Sequence, residues 1–308
     1  MSVGTIERLD AALDELIPAG ARIEKLAGGF AFTEGPIWMP EGRLLFSDIP
    51  RNTIYEWARD GEVTVFRHPS GFDGRDAPEG AFIGSNGLTL DQQGRLTICE
   101  HGNRRVSRLE PDGSVTVLAS EFEGRRLNSP NDAVYKSDGA LYFTDPPYGM
   151  TGQDGDPAKE LPFSGVYRLK DGVLTLLHKD LRRPNGLAFS PDETTMYVAN
   201  SDSGRKVWMQ FPVLDDGTFG AGSVFADLTS FSQPGLPDGM KADRQGNLYC
   251  TGPGGIHVFT AAGKRLGVIA TPEIPANLHW GDADASTLYI TARTGLYRVE
   301  MSTTGIRP

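Results

Sequence analysis

Six residues with a side-chain oxygen recur at one register of this chain: Glu34, Asn86, Asn131, Asn185, Asp238 and Asn277. Each stands at the start of a short apolar run, and successive members are 52, 45, 54, 53 and 39 residues apart. Asn and Asp favour turns and loop ends, which accounts for some of them but poorly for Glu34 or for all six at once. If the six converge, their two carboxylates are costly to bury unless something positive lies between them. A hard divalent cation fits such a set, because every donor is oxygen and no cysteine or converging histidine joins it. Calcium takes about six to eight oxygen ligands in flexible geometry, and two carboxylates would neutralise it while amides fill out the shell. The alternative is a polar plug satisfied by its own hydrogen bonds.

The spacing says which elements must hold these residues. Each copy reads as a short apolar strand, a turn, a second strand such as LYFT or LYCT, a polar loop and two further strands. Units of about 40–50 residues with several strands each are the mark of β-propeller blades. The expected fold is therefore all-β, a six-bladed β-propeller with four-stranded blades, whose first strands line a central channel. The turns Pro40-Glu41-Gly42, Gln92-Gln93-Gly94, Ser137-Asp138-Gly139 and Arg244-Gln245-Gly246 each supply a Gly for positive φ. The sixth copy is one strand short, so residues 22–28 are expected to close the ring as the outer strand of the last blade and to remove an exposed edge. Ile6, Leu9, Leu13 and Ile17 stand near helical spacing, which predicts a short helix over residues 5–17 within an extension of residues 1–21. One domain then spans residues 1–308.

Composition agrees and excludes other classes. Gly makes up 38 of 308 residues, as many tight turns require. With 30 basic and 40 acidic residues the net charge is −10, which argues against a nucleic-acid partner. No apolar stretch reaches membrane-spanning length, and no secretory signal is visible, so a cytoplasmic protein without a membrane partner is expected. Cys99 and Cys250 lie in strand-like runs and read as buried, reduced thiols. Oligomeric state is not legible.

At this point the chain resembles the gluconolactonase family, the group that includes senescence marker protein and luciferin-regenerating enzyme. The resemblance rests on TEGPIW at 33–38, LNSPNDAV at 127–134, YFTDPPYG at 142–149, PNGLAFSPDE at 184–193, PDGMKAD at 237–243 and LYITARTGLYRV at 288–299. It covers roughly residues 25–300, with the motifs in the family order. It implies a six-bladed propeller with an axial divalent cation, usually Ca2+, held by Glu34, Asn185 and Asp238, with Asn131 as a fourth position binding directly or through water. Mn2+, Zn2+ and Mg2+ are alternatives for such oxygen ligands. Asn86 and Asn277 belong to the ring, but the resemblance does not make them ligands.

The implied reaction is hydrolysis of a small-molecule sugar-acid lactone. The cation would polarise the carbonyl, and Asp238 is the candidate general base for water. Substrate contacts are expected from His101, Asn86, Tyr148, Asn277 and Arg293, with Asp48, Arg51, Arg104, Ser201 and Asp202 on loops of the same face. His279, two residues beyond Asn277, shares its strand face and is a candidate for a second cation or a water lower in the channel. Residues 67–84 and 149–163 read either as drifting loops or as a partial lid. A phosphotriesterase or aryl-esterase on the same metal, or a non-catalytic binding propeller, are the competing readings.

Overall fold

The computed structural model describes residues 2–306. Among the described residues, six antiparallel blade sheets of hairpin-connected strands succeed one another along the chain, and a two-stranded ribbon of Glu121–Phe122 and Arg125–Arg126 follows the second. Blade one runs Thr33–Met39, Arg43–Asp48, Thr53–Trp57 and Val63–Arg67. Blade two runs Ser85–Leu90, Leu96–Glu100, Arg105–Leu109 and Val115–Ala119. Blade three runs Ala133–Tyr135, Leu141–Asp145, Gly165–Lys170 and Val173–His178. Blade four runs Pro184–Phe189, Thr195–Asp202, Arg205–Pro212 and Ser223–Asp227. Blade five runs Met240–Ala242, Leu248–Gly252, Gly255–Phe259 and Arg265–Ala270. Blade six holds Pro275–Gly281, Thr287–Ala292 and Gly295–Glu300. This is the expected six-bladed β-propeller.

Ile23–Gly28 completes blade six, pairing antiparallel with Gly295–Glu300 from Ile23↔Val299 to Gly28↔Gly295. The edge left by the short sixth copy is thereby satisfied by the other end of the chain.

The extension before it differs from the expected helix. Thr5–Arg8 is a strand that pairs with Arg265–Ala270 and adds a fifth strand to blade five. Only Leu13–Leu16 is helical. The physical reason is tertiary: the outer strand of blade five offers a row of unpaired backbone groups, and pairing there outweighs the weak helical spacing of Ile6 and Leu9. Leu9 is exposed, while Leu13, Leu16 and Ile17 pack into the core between blades five and six.

The core is divided into six clusters, each bridging consecutive blades. Ile37, Leu45, Leu88 and Ile98 join blades one and two. Phe46, Trp57, Tyr289 and Leu296 join blades six and one. Side chains of alternate strand positions interdigitate across these gaps, which fixes each blade's tilt and hence the aim of its first strand. Cys99 and Cys250 are buried in two of these clusters as free thiols. The hairpin glycines Gly42, Gly94, Gly139 and Gly246 all have positive φ. Blades four and six turn instead at Glu193 and Ala285, also at positive φ.

Candidate functional site

The ring residues sit where the first strands begin, and the sequence around them is shaped by crowding at the axis. Gly follows the ring residue in four blades, as Gly35, Gly87, Gly186 and Gly239. A methyl at Gly186 would overlap the Asp238 carbonyl, and one at Gly35 the Asn86 carbonyl. These glycines let neighbouring backbones touch across the channel. The Gly87 amide donates to the Asn131 carbonyl at 2.7 Å, and the Gly239 amide to the Ala276 carbonyl at 2.9 Å.

A directed chain of side-chain amides orients the oxygens. Asn86 Nδ2 donates to Asn131 Oδ1 at 2.7 Å. Asn131 Nδ2 donates to Asn185 Oδ1. Asn185 Nδ2 donates to Ser201 Oγ at 2.9 Å, and Ser201 Oγ donates to the Pro237 carbonyl. Each amide nitrogen is spent sideways, so each Oδ1 keeps a lone pair for the cavity. Asn86 Oδ1 and Asp238 Oδ1 are buried without a hydrogen-bond partner. Polar atoms left so in a native interior point to an absent ligand or water.

His101 starts this chain. Its Nδ1 lies 3.1 Å from the Phe82 carbonyl, which can only accept, so Nδ1 carries the proton. Burial pulls its pKa down to about 4, and the neutral ring then accepts from Asn86 Nδ2 through Nε2 at 3.2 Å.

The carboxylates are strained electrostatically. Burial, with the Asp132 carboxylate adding to it, pushes Glu34 from 4.5 up to about 7, against the Gly35 amide and Asn277. Burial, then Glu34 and Asp132, raise Asp238 well above the ordinary carboxylate range. Lys241 offsets part of the charge on Glu34 and Asp132. Glu34 Oε2 accepts from the Gly35 amide at 2.8 Å and from Asn277 Nδ2 at 3.0 Å.

Glu34, Asn86, His101, Asn131, Tyr148, Asn185, Asp238 and Arg293 line one cavity of about 350 Å3 together with Ser201 and Gln153. The apolar part of its lining is Phe32, Ile49, Phe82, Leu236, Ile274, Pro275 and Ala276. Phe32 and Phe82 meet edge to face at 5.0 Å, and the Arg293 guanidinium lies 5.5 Å above the Phe32 ring. Gln153 and Phe82 come from the two long insertions, so both insertions shape this wall. The second insertion is pinned by Arg183, which grips Asp154 at 2.7 and 2.8 Å.

Several expected contacts resolve differently. Asn277 lies off the cavity wall: its Oδ1 accepts from the Leu278 amide at 2.9 Å, and its nitrogen reaches Glu34 and Asp132. It holds carboxylates and turns no group to a substrate. Asp48 is buried and takes the Ala31 and Phe32 amides. Arg104 is buried against the Leu127, Asn128 and Ala158 carbonyls. Arg51 donates to the Gly29 carbonyl, and Asp202 lines a separate surface cleft. His279 faces a different cavity, which Lys241 and Ile306 also line, and its Nδ1 lies 2.7 Å from the Trp280 carbonyl.

Asp132 is the site residue that the repeat pattern missed. A signal for it exists: where four blades have Gly after the ring residue, blade three has a carboxylate.

Among the described residues no three Cys, His, Asp or Glu side chains gather as a metal cluster. The donor set here is two carboxylates among amides. It is all oxygen, preoriented by the amide chain, and carries a partnerless Asp238 Oδ1, which fits a hard divalent cation.

Known proteins share this fold and sequence. The chain is 38% identical to a gluconolactonase of Zymomonas mobilis over 99% of its own length and 88% of that protein's. A solved gluconolactonase from Xanthomonas campestris is 35% identical, covering 96% of this chain and 94% of that one with a TM-score of 0.83. A calcium-binding regucalcin from Agrobacterium tumefaciens, 22% identical, shares the fold with a TM-score of 0.73 over 92% of this chain and 95% of that one. With residues 32–294 matching the SMP-30/gluconolactonase/LRE-like region, the chain belongs to that family.

Proposed function

We propose that this protein hydrolyses sugar-acid lactones using a divalent cation, Ca2+ by its donor chemistry, held by Glu34, Asn131, Asn185 and Asp238. The observation that carries the reading is the pair of carboxylates, buried Glu34 and half-buried Asp238, set among preoriented amide oxygens on the wall of the cavity. Identity to gluconolactonases over nearly the whole chain supplies the reaction class. Bound at those oxygens, a cation supplies Lewis acidity to the lactone carbonyl.

The chain's own residues do the rest. Asp238 takes a proton from the attacking water as the new C–O bond forms. It returns that proton to the ring oxygen as the lactone C–O bond breaks, leaving a hydroxy acid. Asn86 Oδ1 accepts from a substrate hydroxyl, and His101 behind it fixes which way the amide faces. Phe32 and Phe82 pack against the apolar face of the sugar ring, and Tyr148 and Arg293 offer donors at the rim.

The same apolar walls would also admit an aryl ester, which keeps aryl-esterase activity as a second reading. Proton release from a panel of aldonolactones, aryl esters and phosphotriesters, with Ca2+, Mn2+, Zn2+ and Mg2+ in turn, separates the two. Lactones are expected to turn over fastest. Turnover of aryl esters or triesters alone would replace this assignment, and no turnover of any class with any cation would favour a binding propeller.

A further inference from the structure

One position of the repeat explains how the ligand-bearing strands are aimed. It lies at the end of each second strand, opposite the residue that precedes the ring residue: Asp48 faces Thr33, Glu100 faces Ser85 and Asn200 faces Pro184. Asp145 is its equivalent in blade three: it follows Thr144, whose carbonyl and amide pair with the Asn131 amide and the Asp132 carbonyl.

In three blades this side chain turns back to grip the loop that delivers the ring residue. Asp48 accepts from the amides of Ala31 and Phe32 at 2.9 and 3.2 Å, three and two residues before Glu34. Asp145 accepts from the Asn128 amide at 2.8 Å, three residues before Asn131, and Asn128 Nδ2 returns a bond to the Asp145 carbonyl at 2.8 Å. Asn200 accepts from the Arg183 amide at 3.0 Å, two residues before Asn185. All three side chains are fully or almost fully buried.

Blade two breaks the pattern. Glu100, at the same register, turns outward to Ser107, Asn103 and Arg105. In blade six the equivalent is Ala292, which faces Pro275 and has no polar side chain to grip with. Blade five has Gly252 there, and the segment before Asp238 is held by Ser201 on the Pro237 carbonyl. The back-turned grip therefore occurs in the blades that carry Glu34, Asn131 and Asn185, and is absent from those that carry Asn86, Asp238 and Asn277; of the four proposed ligands only Asp238 is held in another way.

We infer that Asp48, Asp145 and Asn200 are positioning residues that set the cation affinity of this site by fixing the approach loops of Glu34, Asn131 and Asn185. They touch neither substrate nor cation. A loop that can drift by a fraction of an ångström spreads its ligand over many positions, and outer partners of metal ligands commonly change affinity by about 10–100-fold. The inference rests on the cation reading above.

Calorimetric titration of Ca2+ into folded, chelator-treated protein tests it, with circular dichroism and thermal midpoints recorded alongside. Asp145→Ala and Asn200→Ala are expected to weaken binding about 10–100-fold. Asp145→Asn, which keeps an acceptor for the Asn128 amide, is expected to stay within about 3-fold of wild type. Glu100→Ala deletes a buried carboxylate at the same register and is expected to lower the thermal midpoint without weakening binding. If Asp145→Ala does not fold, Asn200→Ala carries the test. Equal losses in Glu100→Ala and Asn200→Ala, or no loss in Asn200→Ala, would overturn the inference. A wild-type protein that binds none of Ca2+, Mn2+, Zn2+ or Mg2+ would remove the cation reading itself, and the inference with it.

Discussion

Replacing Glu34 with Gln makes the cation-free protein more stable at pH 8 and weakens cation binding by at least about 100-fold. The two effects have one cause. Glu34 is buried, with the Asp132 carboxylate adding to the cost of its charge, so its ionised form is disfavoured when nothing positive fills the ring. Its pKa is raised from 4.5 to about 7 in the folded protein. Between those values the unfolded chain has lost the proton that the folded chain still holds. The unfolded state binds fewer protons there, so stability falls as pH rises from about 4.5 to 7 and stays low above it. The shift corresponds to on the order of 3 kcal/mol. Gln keeps an acceptor for the Gly35 amide and the Asn277 nitrogen but never ionises, so it recovers much of that loss. Urea unfolding at pH 5 and pH 8 in chelator checks this: wild type is expected to lose stability across the interval and Glu34→Gln to lose much less. Loss of stability in the variant at pH 8 would mean that the Glu34 charge is already balanced within the protein. Cation binding to wild type below pH 7 should also release protons, because the ligand must be ionised.

Replacing Asp238 with Asn is expected to lower kcat by about 100- to 10,000-fold at a cation concentration that saturates the variant. Asp238 is half-buried on the cavity wall with a buried, partnerless Oδ1, so it is placed to serve both cation and water. The side chain is nearly isosteric, and the Asn185 and Gly239 groups around it survive, so the fold is expected to persist. Measuring kcat at saturating cation separates the proton-transfer role from ligation. A variant with near-normal kcat once saturated would assign the proton to another group.

The architecture was legible because its determinants are local and repeated. The hairpin glycines, the apolar first strands and the oxygen-bearing residue before each strand recur at propeller spacing. The missing strand of the last copy pointed to Ile23–Gly28. The strand at Thr5–Arg8 was not legible, since it forms on an edge supplied by Arg265–Ala270, more than 250 residues away in sequence. Orientation within the site was equally hidden. Asn86 and Asn277 look alike at the same register. Yet one presents its oxygen to the cavity and the other spends it on the Leu278 amide, a choice set by neighbours across the axis. Asp48 read as a loop residue near the substrate because its sequence neighbourhood resembles that of a rim. Only the fold shows that its carboxylate faces inward, to amides that precede Glu34.

On the proposed function, the ring holds a divalent cation that lactone hydrolysis needs. That requirement is tested most directly by pH-stat proton release from an aldonolactone after exhaustive chelation, followed by stepwise return of Ca2+. Activity is expected to vanish in chelator and to return in proportion to added cation, saturating at one ion per chain. Full lactone turnover by protein shown to be free of divalent metal would contradict it.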